Sequence, residues 1–200
     1  MKTQSTDLPG VLLIEPRTFR DTRGFFLETW NQDRYQELGL PGAMVQDNLS
    51  WSRRGVLRGM HLQYPASQGK LVYALAGQIY DVVADVRVGS PTFGRWVAYD
   101  LSLENGRQIY VPPGFAHGFC VMSATALVAY KCSDLYRPEC EVGVIWNDPQ
   151  LAIDWPLSLP ILSDKDARLP RLADLSTESL PPYAEFVTVS RTSEICSQAA

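Results

Sequence analysis

The chain has 200 residues, of which 46% are hydrophobic and 20% are charged. This composition is ordinary for a soluble globular protein, and the length is enough for one domain with a sizeable buried core. The net charge of −4 and the isoelectric point of about 5.2 argue against a nucleic-acid partner, because nucleic-acid binders usually carry a basic face.

The N-terminal residues and the cysteines predict a cytoplasmic protein without membrane association. The first ten residues are polar, and the apolar run at 11–14 is too short for a signal peptide or a membrane span. No Cys-x-x-Cys spacing is present, and without an export signal we expect the thiols to be reduced. The four cysteines are Cys120, Cys132, Cys140 and Cys196.

Strand patterns dominate from the N-terminal end onward. Short apolar or aromatic segments at 11–15 and 24–30 predict the first strands. Residues 33–38 predict a short helix that ends at Gly39 and Pro41. Turn residues then separate β-forming segments at intervals of about 8–12 residues, as in a sandwich or a barrel. The main predicted strands there are 70–76, 78–88, 95–103, 108–111, 117–121 and 126–133.

This pattern predicts an all-β jelly roll or related barrel with a few short helices. After Trp146 the sequence predicts an extended C-terminal segment, in which residues 163–166 cap a short helical turn. We expect a single domain over residues 1–175. Residues 176–200 are polar and predict a loosely ordered tail.

Histidine is scarce, and only His61 and His117 are present. A metal-binding barrel of the cupin type needs a His-x-His pair and a further histidine. Because the sequence lacks this set, we expect no metal site within one subunit. His117 follows a Pro-Pro-Gly turn, where a structural role and a functional role are equally plausible.

His61 lies in a cationic stretch that indicates an anion-binding cavity. An isolated histidine is most often a structural residue that is hydrogen-bonded to a neighbour. The nearby cations weaken that interpretation here, and they are Arg53, Arg54, Arg58 and Lys70.

Acid–base chemistry at carbon needs a base, a group that stabilises the oxyanion, and a proton donor on the opposite face. Histidine suits the first role because its unperturbed pKa of about 6.5 lies near working pH. Tyr130 and Tyr136 could donate protons, although packing is the commoner role of strand tyrosines. A carboxylate could orient His61, and spacing does not choose among Asp47, Asp81, Asp85 and Asp166.

Eight motifs occur in order along the chain: DTRGFF (21–26), VQDN (45–48), VLRGMHLQ (56–63), QGKLV (68–72), SPTFG (90–94), PGFAHGF (113–119), WNDP (146–149) and LSDKD (162–166). Together they resemble the dTDP-4-dehydrorhamnose 3,5-epimerase family over residues 11–172. The resemblance implies a cupin-like jelly-roll barrel that needs no cofactor and no metal. It also implies a homodimer in which N-terminal strands reach into the partner's sheet.

The resemblance further implies the reaction and the residues that carry it. The expected reaction converts dTDP-4-dehydro-6-deoxy-D-glucose to dTDP-4-dehydro-L-rhamnose by inversion at C3 and C5. His61 would be the base and Asp166 its orienting partner. Lys70 would stabilise the enolate, and Tyr130 would donate the proton. The implied nucleotide-sugar contacts, some of which could serve the neighbouring subunit, are Arg23, Glu28, Gln46, Asn48, Arg58, His117, Tyr136, Glu141 and Lys165.

One departure and two alternatives accompany this resemblance. Leu135 stands where many family members carry an aromatic residue that can stack on the nucleotide base. A monoepimerase that acts at only C3 or C5 of a related dTDP-4-keto-6-deoxy sugar is the nearest alternative. A non-catalytic sugar-nucleotide binding module on the same barrel is a further one.

Overall fold

The computed structural model of the protein describes residues 1–186. Its elements in chain order are β1 Lys2–Ser5, β2 Leu12–Glu15, β3 Thr18–Asp21, β4 Gly24–Leu27, α1 Gln32–Gln36, β5 Gln46–Arg53, β6 Leu57–Gln63, β7 Lys70–Ala76, β8 Gln78–Asp85, β9 Trp96–Ser102, β10 Gln108–Val111, β11 Phe115–Val121, β12 Thr125–Cys132 and β13 Glu141–Gly143. Short 3₁₀ helices follow at Pro138–Cys140, Asp166–Arg168, Leu172–Asp174 and Thr177–Ser179.

The strands form two antiparallel sheets and one separate hairpin. The six-stranded sheet has the order β1-β2-β10-β7-β12-β5, and the five-stranded sheet has the order β13-β6-β11-β8-β9. Among the strands of residues 1–186, β3 and β4 pair only with each other. The prediction of an all-β fold with few short helices is therefore confirmed.

Alternating side chains of both sheets meet in the interior and form the main core. Val72 and Val128 of the six-stranded sheet pack with Ile79, Val83 and Phe119 of the five-stranded sheet. This is the expected result when strands with a period of two bury one face each.

The C-terminal segment covers the outer face of the five-stranded sheet. Leu151, Trp155, Leu172 and Leu180 pack in a second buried cluster with residues such as Val82. Because this sheet is buried on both faces, nearly every residue of β8 from Ile79 to Asp85 is buried, rather than every second one.

The covering segment continues into the predicted tail. The Val88 N–H donates to the Pro181 carbonyl at 2.9 Å, and the Tyr183 N–H donates to the Val88 carbonyl at 2.9 Å. Residues 187–200 of the predicted tail, with Cys196, lie outside the described residues, so the domain limit at 175 stays a prediction.

Several predicted boundaries differ from the structure. The predicted strand 24–30 ends at Leu27, and the predicted strand 78–88 ends at Asp85, where the carboxylate of Asp85 accepts the Arg87 backbone N–H at 3.0 Å and turns the chain. Strands β5 and β6 were not among the main predicted strands, because their inward positions carry many polar residues. Within residues 1–186, no helix is long and apolar enough to cross a bilayer.

Candidate active site

A cavity of about 410 Å³ lies between the two sheets and is lined largely by polar side chains. One wall comes from the five-stranded sheet: Arg58, His61, Leu62, Gln63, His117, Phe119 and Glu141. The opposite wall comes from the six-stranded sheet: Gln46, Asn48, Ser50, Lys70, Tyr130 and Cys132. Loops add Gln68, Tyr136, Ser163, Lys165 and Asp166.

Local backbone geometry places His61 beside His117. The two histidines are cross-strand partners in β6 and β11, and the register shifts between His117 and Phe119. Gly59 has φ +113°, and a Cβ there would lie 2.6 Å from Gly118 Cα. Only glycine allows both this backbone conformation and this close approach, which accounts for the glycine two positions before His61 in the VLRGMHLQ motif.

His61 is paired with Asp166. Its Nε2 lies 2.8 Å from Asp166 Oδ1, and Asp166 is held at the start of a 3₁₀ helix, where its backbone N–H donates to Ser163 Oγ at 3.1 Å. An ionised carboxylate only accepts hydrogen bonds, so the pair places the proton of a neutral His61 on Nε2 and leaves Nδ1 as the basic nitrogen.

The environment favours an ionised Asp166. Burial by itself raises the pKa of this carboxyl group, but the hydrogen bond and charge of His61 outweigh burial, and the net pKa lies below the ordinary value. An anionic partner stabilises the imidazolium that forms when a base accepts a proton.

The other three candidate carboxylates have different partners. Asp47 accepts from Lys131 Nζ at 2.8 Å, and Asp85 accepts from Arg87 at 2.7 Å. The Asp81 carboxylate lies 2.9 Å from His117 Nε2. Asp166 is thus the carboxylate that contacts His61, as the resemblance implied.

The His117–Asp81 pair is buried, and His117 also lines the cavity. Burial raises the pKa of Asp81 above its ordinary value, although His117 acts in the opposite direction. The sequence left open whether His117 is structural or functional. In the structure it belongs both to a buried pair and to the cavity wall.

Lys70 and Tyr130 face the histidines from the six-stranded sheet. Lys70 lies opposite Cys132 in the pairing of β7 and β12, two residue pairs away from Tyr130 and therefore on the same face. Burial lowers the pKa of Lys70. Burial also raises the pKa of Tyr130, which keeps its phenol protonated.

A charged network surrounds one side of the cavity. Glu141 accepts from Tyr136 Oη at 2.8 Å and from Lys165 Nζ at 2.7 Å. Burial alone raises the pKa of Glu141, but these two hydrogen bonds and the charges of His61 and Lys165 together outweigh it, so the net pKa is lowered.

Polar side chains from β5 and β6 complete the wall. Arg58 Nε donates to Ser52 Oγ at 3.1 Å, which fixes the guanidinium, and within residues 1–186 its terminal N–H groups make no other side-chain hydrogen bond. Gln46 Nε2 donates to Asn48 Oδ1 at 3.0 Å. Gln46, Asn48 and Arg58 thus lie where the resemblance implies ligand contacts.

Two implied contact residues do not lie at this cavity. Arg23 lies at the turn between β3 and β4 and pairs with Asp21 at 2.6 Å. Glu28 follows β4 and pairs with Arg34 at 2.9 Å. Neither residue lines the cavity of its own chain.

The sequence analysis did not single out several lining residues, although strand periodicity could have found three of them. Ser50, Cys132 and Gln63 each lie two positions beyond a named residue on the same strand, and so share its face. The Ser50 hydroxyl is buried and has no hydrogen-bond partner among residues 1–186, which makes it available to a ligand. Gln68 and Ser163 belong to loops, for which no such pattern exists.

In the described part of the chain, no three His, Cys, Asp or Glu side chains converge in a way that could hold a metal ion. The groups that do converge are a histidine–aspartate pair, a buried lysine and a buried tyrosine. A β-sandwich whose cavity combines these groups defines an enzyme that moves protons on a bound molecule.

Comparisons with known proteins identify the family of this enzyme. The sequence profile of the dTDP-4-dehydrorhamnose 3,5-epimerase family matches residues 5–174. The enzyme of that name from Pseudomonas aeruginosa is 52% identical over 176 residues, which cover 87% of this chain and 97% of the relative. The chain belongs to this family and is a sugar-nucleotide epimerase with a cupin-like fold, so both predictions are confirmed.

Solved structures agree with this assignment. The chain resembles dTDP-6-deoxy-D-glucose-3,5-epimerase RmlC from Legionella pneumophila, solved in complex with dTDP-4-keto-L-rhamnose, with TM-score 0.89 and 51% identity over 91% of this chain and 98% of the other. It also resembles ChmJ, a 3'-monoepimerase from Streptomyces bikiniensis in complex with dTDP-quinovose, with TM-score 0.87 and 34% identity over 94% of this chain and 96% of the other.

Proposed function

We propose that this protein converts dTDP-4-dehydro-6-deoxy-D-glucose to dTDP-4-dehydro-L-rhamnose by inverting C3 and C5. The observation that carries the proposal is that a base and an acid come from opposite walls of one cavity. The base, His61, belongs to the five-stranded sheet, and the acid, Tyr130, belongs to the six-stranded sheet. Inversion needs a proton removed from one face of the ring and returned to the other.

The ketone at C4 makes the hydrogens at C3 and C5 acidic. His61 Nδ1 accepts one of them, and Asp166 stabilises the resulting imidazolium. The charge then moves to the oxygen at C4, where the Lys70 ammonium stabilises it. Within residues 1–186 the Lys70 ammonium makes no side-chain hydrogen bond or ion pair, so its charge is available for this role.

Tyr130 then gives its proton to the opposite face of the carbon. Its raised pKa, caused mainly by burial, suits a group that must remain a phenol until the enolate forms. His61 then releases its proton to solvent, and Tyr130 takes up a proton from solvent, so the cycle can repeat at the second carbon and deuterium can enter from D₂O. These steps use side chains of the described chain, the substrate and solvent water.

The nucleotide end of the substrate extends toward the charged network. Arg58 and Lys165 supply positive charge for the diphosphate. Gln46, Asn48 and Glu141 offer hydrogen bonds, and the half-exposed ring of Tyr136 offers a surface for the base. His117 completes the wall next to His61.

A deuterium-exchange experiment tests the reaction. The protein is incubated with dTDP-4-dehydro-6-deoxy-D-glucose in D₂O, and the label at each carbon is measured by NMR. Label at both C3 and C5 is expected. Label at one carbon alone would show a monoepimerase, and no label would show a binding module.

The variant Tyr130→Phe sharpens this experiment. It removes the acid but leaves the base, so His61 can still exchange a proton on its own face. We expect deuterium incorporation to continue while inversion stops. Loss of both would mean that Tyr130 is needed for proton removal as well.

We also propose that the protein is a homodimer. The outer face of the six-stranded sheet exposes Leu49 and Trp51, and the β3–β4 hairpin exposes Phe26. Exposed apolar groups of this size are typical of a protein interface. Arg23 and Glu28, which lie outside their own chain's cavity, could then reach the partner's site.

Light scattering of Trp51→Lys tests the dimer. We expect the wild-type protein to have twice the chain mass and the variant to shift toward the monomer. Leu159→Lys is the matched control, because Leu159 is the most exposed large hydrophobic residue outside this face. A wild-type monomer would overturn the proposal. The cytoplasmic location stays a prediction, which the free thiols of Cys120, Cys132 and Cys140 support.

A further inference from the structure

The loop at residues 133–137 carries Tyr136 to the cavity. This loop connects β12 to the 3₁₀ helix at Pro138–Cys140. The Tyr136 ring lines the cavity while remaining half exposed, and its hydroxyl donates to Glu141. A planar base can stack on an aromatic ring in such a position.

Gln63 binds this loop through its side-chain amide. Its Nε2 donates to the Leu135 carbonyl at 3.2 Å and to the Ala66 carbonyl at 2.6 Å, and its Oε1 accepts the Arg137 N–H at 2.7 Å. Gln63 itself is buried. Because an amide has two N–H donors and both are used, Gln63 has none left for a ligand.

Two further glutamines bind other backbone groups of this loop. Gln46 Oε1 accepts the Tyr136 N–H at 2.8 Å, and Gln68 Nε2 donates to the Asp134 carbonyl at 2.7 Å. Backbone groups at four successive positions, 134 to 137, are therefore paired by glutamine side chains. In a loop without a neighbouring strand, these amides replace the pairing that a sheet provides.

We propose that Gln63 is a positioning residue that fixes the Tyr136 loop and thereby sets the affinity for the nucleotide end of the substrate. The identity of the nucleotide rests on the proposed function. Gln63 is singled out because it makes two bonds to the loop on either side of Tyr136. Gln46, in contrast, also belongs to the implied ligand contacts.

If Gln63 positions the loop, its loss should affect substrate binding but not the rate of the chemical step. The loop contacts the nucleotide end, whereas the His61–Asp166 pair reaches the ring. Disturbing the loop should therefore raise the Kd for dTDP and the KM for substrate, and should leave kcat nearly unchanged, as expected when an interaction present in both ground and transition states is lost.

Gln63→Met tests this division, because methionine has a similar size but removes all three hydrogen bonds. We expect calorimetry to show a Kd for dTDP about tenfold higher than wild type, as for the loss of about one or two hydrogen bonds, and we expect kcat within about twofold. Trp155→Phe is the control, since it removes a side-chain bond to the Trp146 carbonyl at 2.7 Å outside the cavity. The control should lower stability and leave Kd unchanged.

A double-mutant cycle with Tyr136→Ala tests whether Gln63 acts through Tyr136. Once the ring is absent, Gln63→Met should add little to the Kd. Additive effects, or an unchanged Kd in folded Gln63→Met, would overturn the positioning role. If circular dichroism shows that Gln63→Met does not fold, Gln68→Met replaces it, because that variant removes a single bond to the loop.

The two proposals fail in different ways. If the wild-type protein binds dTDP but Gln63→Met binds it equally well, only the positioning role is wrong. If the wild-type protein does not bind dTDP, the proposed function is wrong, and the role of the loop in nucleotide binding is wrong with it.

Discussion

Two histidine–aspartate pairs lie on neighbouring strands of the same sheet, yet their surroundings differ. The His61 side chain is 24% exposed and pairs with Asp166 from the C-terminal segment, whereas the His117 side chain is 9% exposed and pairs with the fully buried Asp81 from β8. The residue types are the same in both pairs. Accessibility to a ligand, rather than residue type, therefore distinguishes His61 as the candidate base from His117, whose pair stabilises the cavity wall.

The two aspartates also differ in the direction of their pKa shifts. Burial is the largest influence on both and raises both. For Asp166 the hydrogen bond and charge of His61, together with the Gly59 N–H and the charge of Lys165, reverse the shift, while for Asp81 burial prevails. Asp166 is thus prepared to balance a positive charge that appears during turnover, and Asp81 is not.

Asp166→Asn should give the largest effect among variants of the two aspartates. An amide can donate to His61 Nε2 and so select the wrong tautomer, with the proton on the nitrogen that must act as base. We expect kcat to fall by about 10²-fold or more, with KM nearly unchanged. Steady-state kinetics on Asp81→Asn provide the comparison, and an equal loss of kcat there would remove the distinction between the pairs.

Lys70→Met should lower kcat by about 10²-fold, because removal of a group that stabilises the oxyanion has an effect of this size. The pH profile adds a second readout. Burial lowers the pKa of Lys70, so its charge, and with it kcat, should be lost as pH rises at values below the ordinary 10.5. Lys70→Arg should move this alkaline fall upward, because a guanidinium stays charged. An unmoved fall would assign it to another group.

His117→Asn should destabilise the fold more than His61→Asn does. The first substitution leaves the buried Asp81 without its partner, which costs about 3 kcal/mol. The second leaves Asp166, which is buried but borders the cavity and keeps a hydrogen bond from the Gly59 backbone N–H, and should cost less than the first. Urea unfolding measures both values, and the reverse order would contradict the assignment of His117 to the wall.

The smallest expected effect concerns acid stability. Asp166 has a lowered pKa, so its contribution to stability is present above the ordinary value of 3.8 and is lost as pH falls through the folded-state pKa. Asp81 has a raised pKa, so its contribution falls as pH rises from 3.8 toward the folded-state pKa. Unfolding free energies of Asp166→Asn and Asp81→Asn across this range should therefore differ from wild type with opposite slopes.

The sequence predicted the outline of the fold because turn residues and strand segments are local signals. It did not predict β5 and β6 as separate strands, although these strands carry much of the cavity wall. Their inward positions hold Gln46, Asn48, Arg58 and His61, which bind ligand or each other rather than fill a core. Strands are recognised in a sequence by alternating apolar and polar residues, and strands whose inward side chains line a polar cavity lack this alternation.

The pairing of the site residues lay beyond the sequence pattern. Asp166 is 105 positions from His61, and spacing alone did not choose it over Asp81, which occupies the second pair. The family resemblance supplied that choice, and the geometry agrees with it. The resemblance also implied roles for Arg23 and Glu28, but a single chain does not bring them to its cavity.

The most direct test of the distinction between the two pairs is deuterium incorporation by His61→Asn and His117→Asn at saturating substrate in D₂O. If His61 is the base, its variant should lose about 10³-fold in the rate of labelling at both C3 and C5, while still binding dTDP. His117→Asn should label both carbons at a rate within about tenfold of wild type. Labelling by His61→Asn at the wild-type rate would contradict the account.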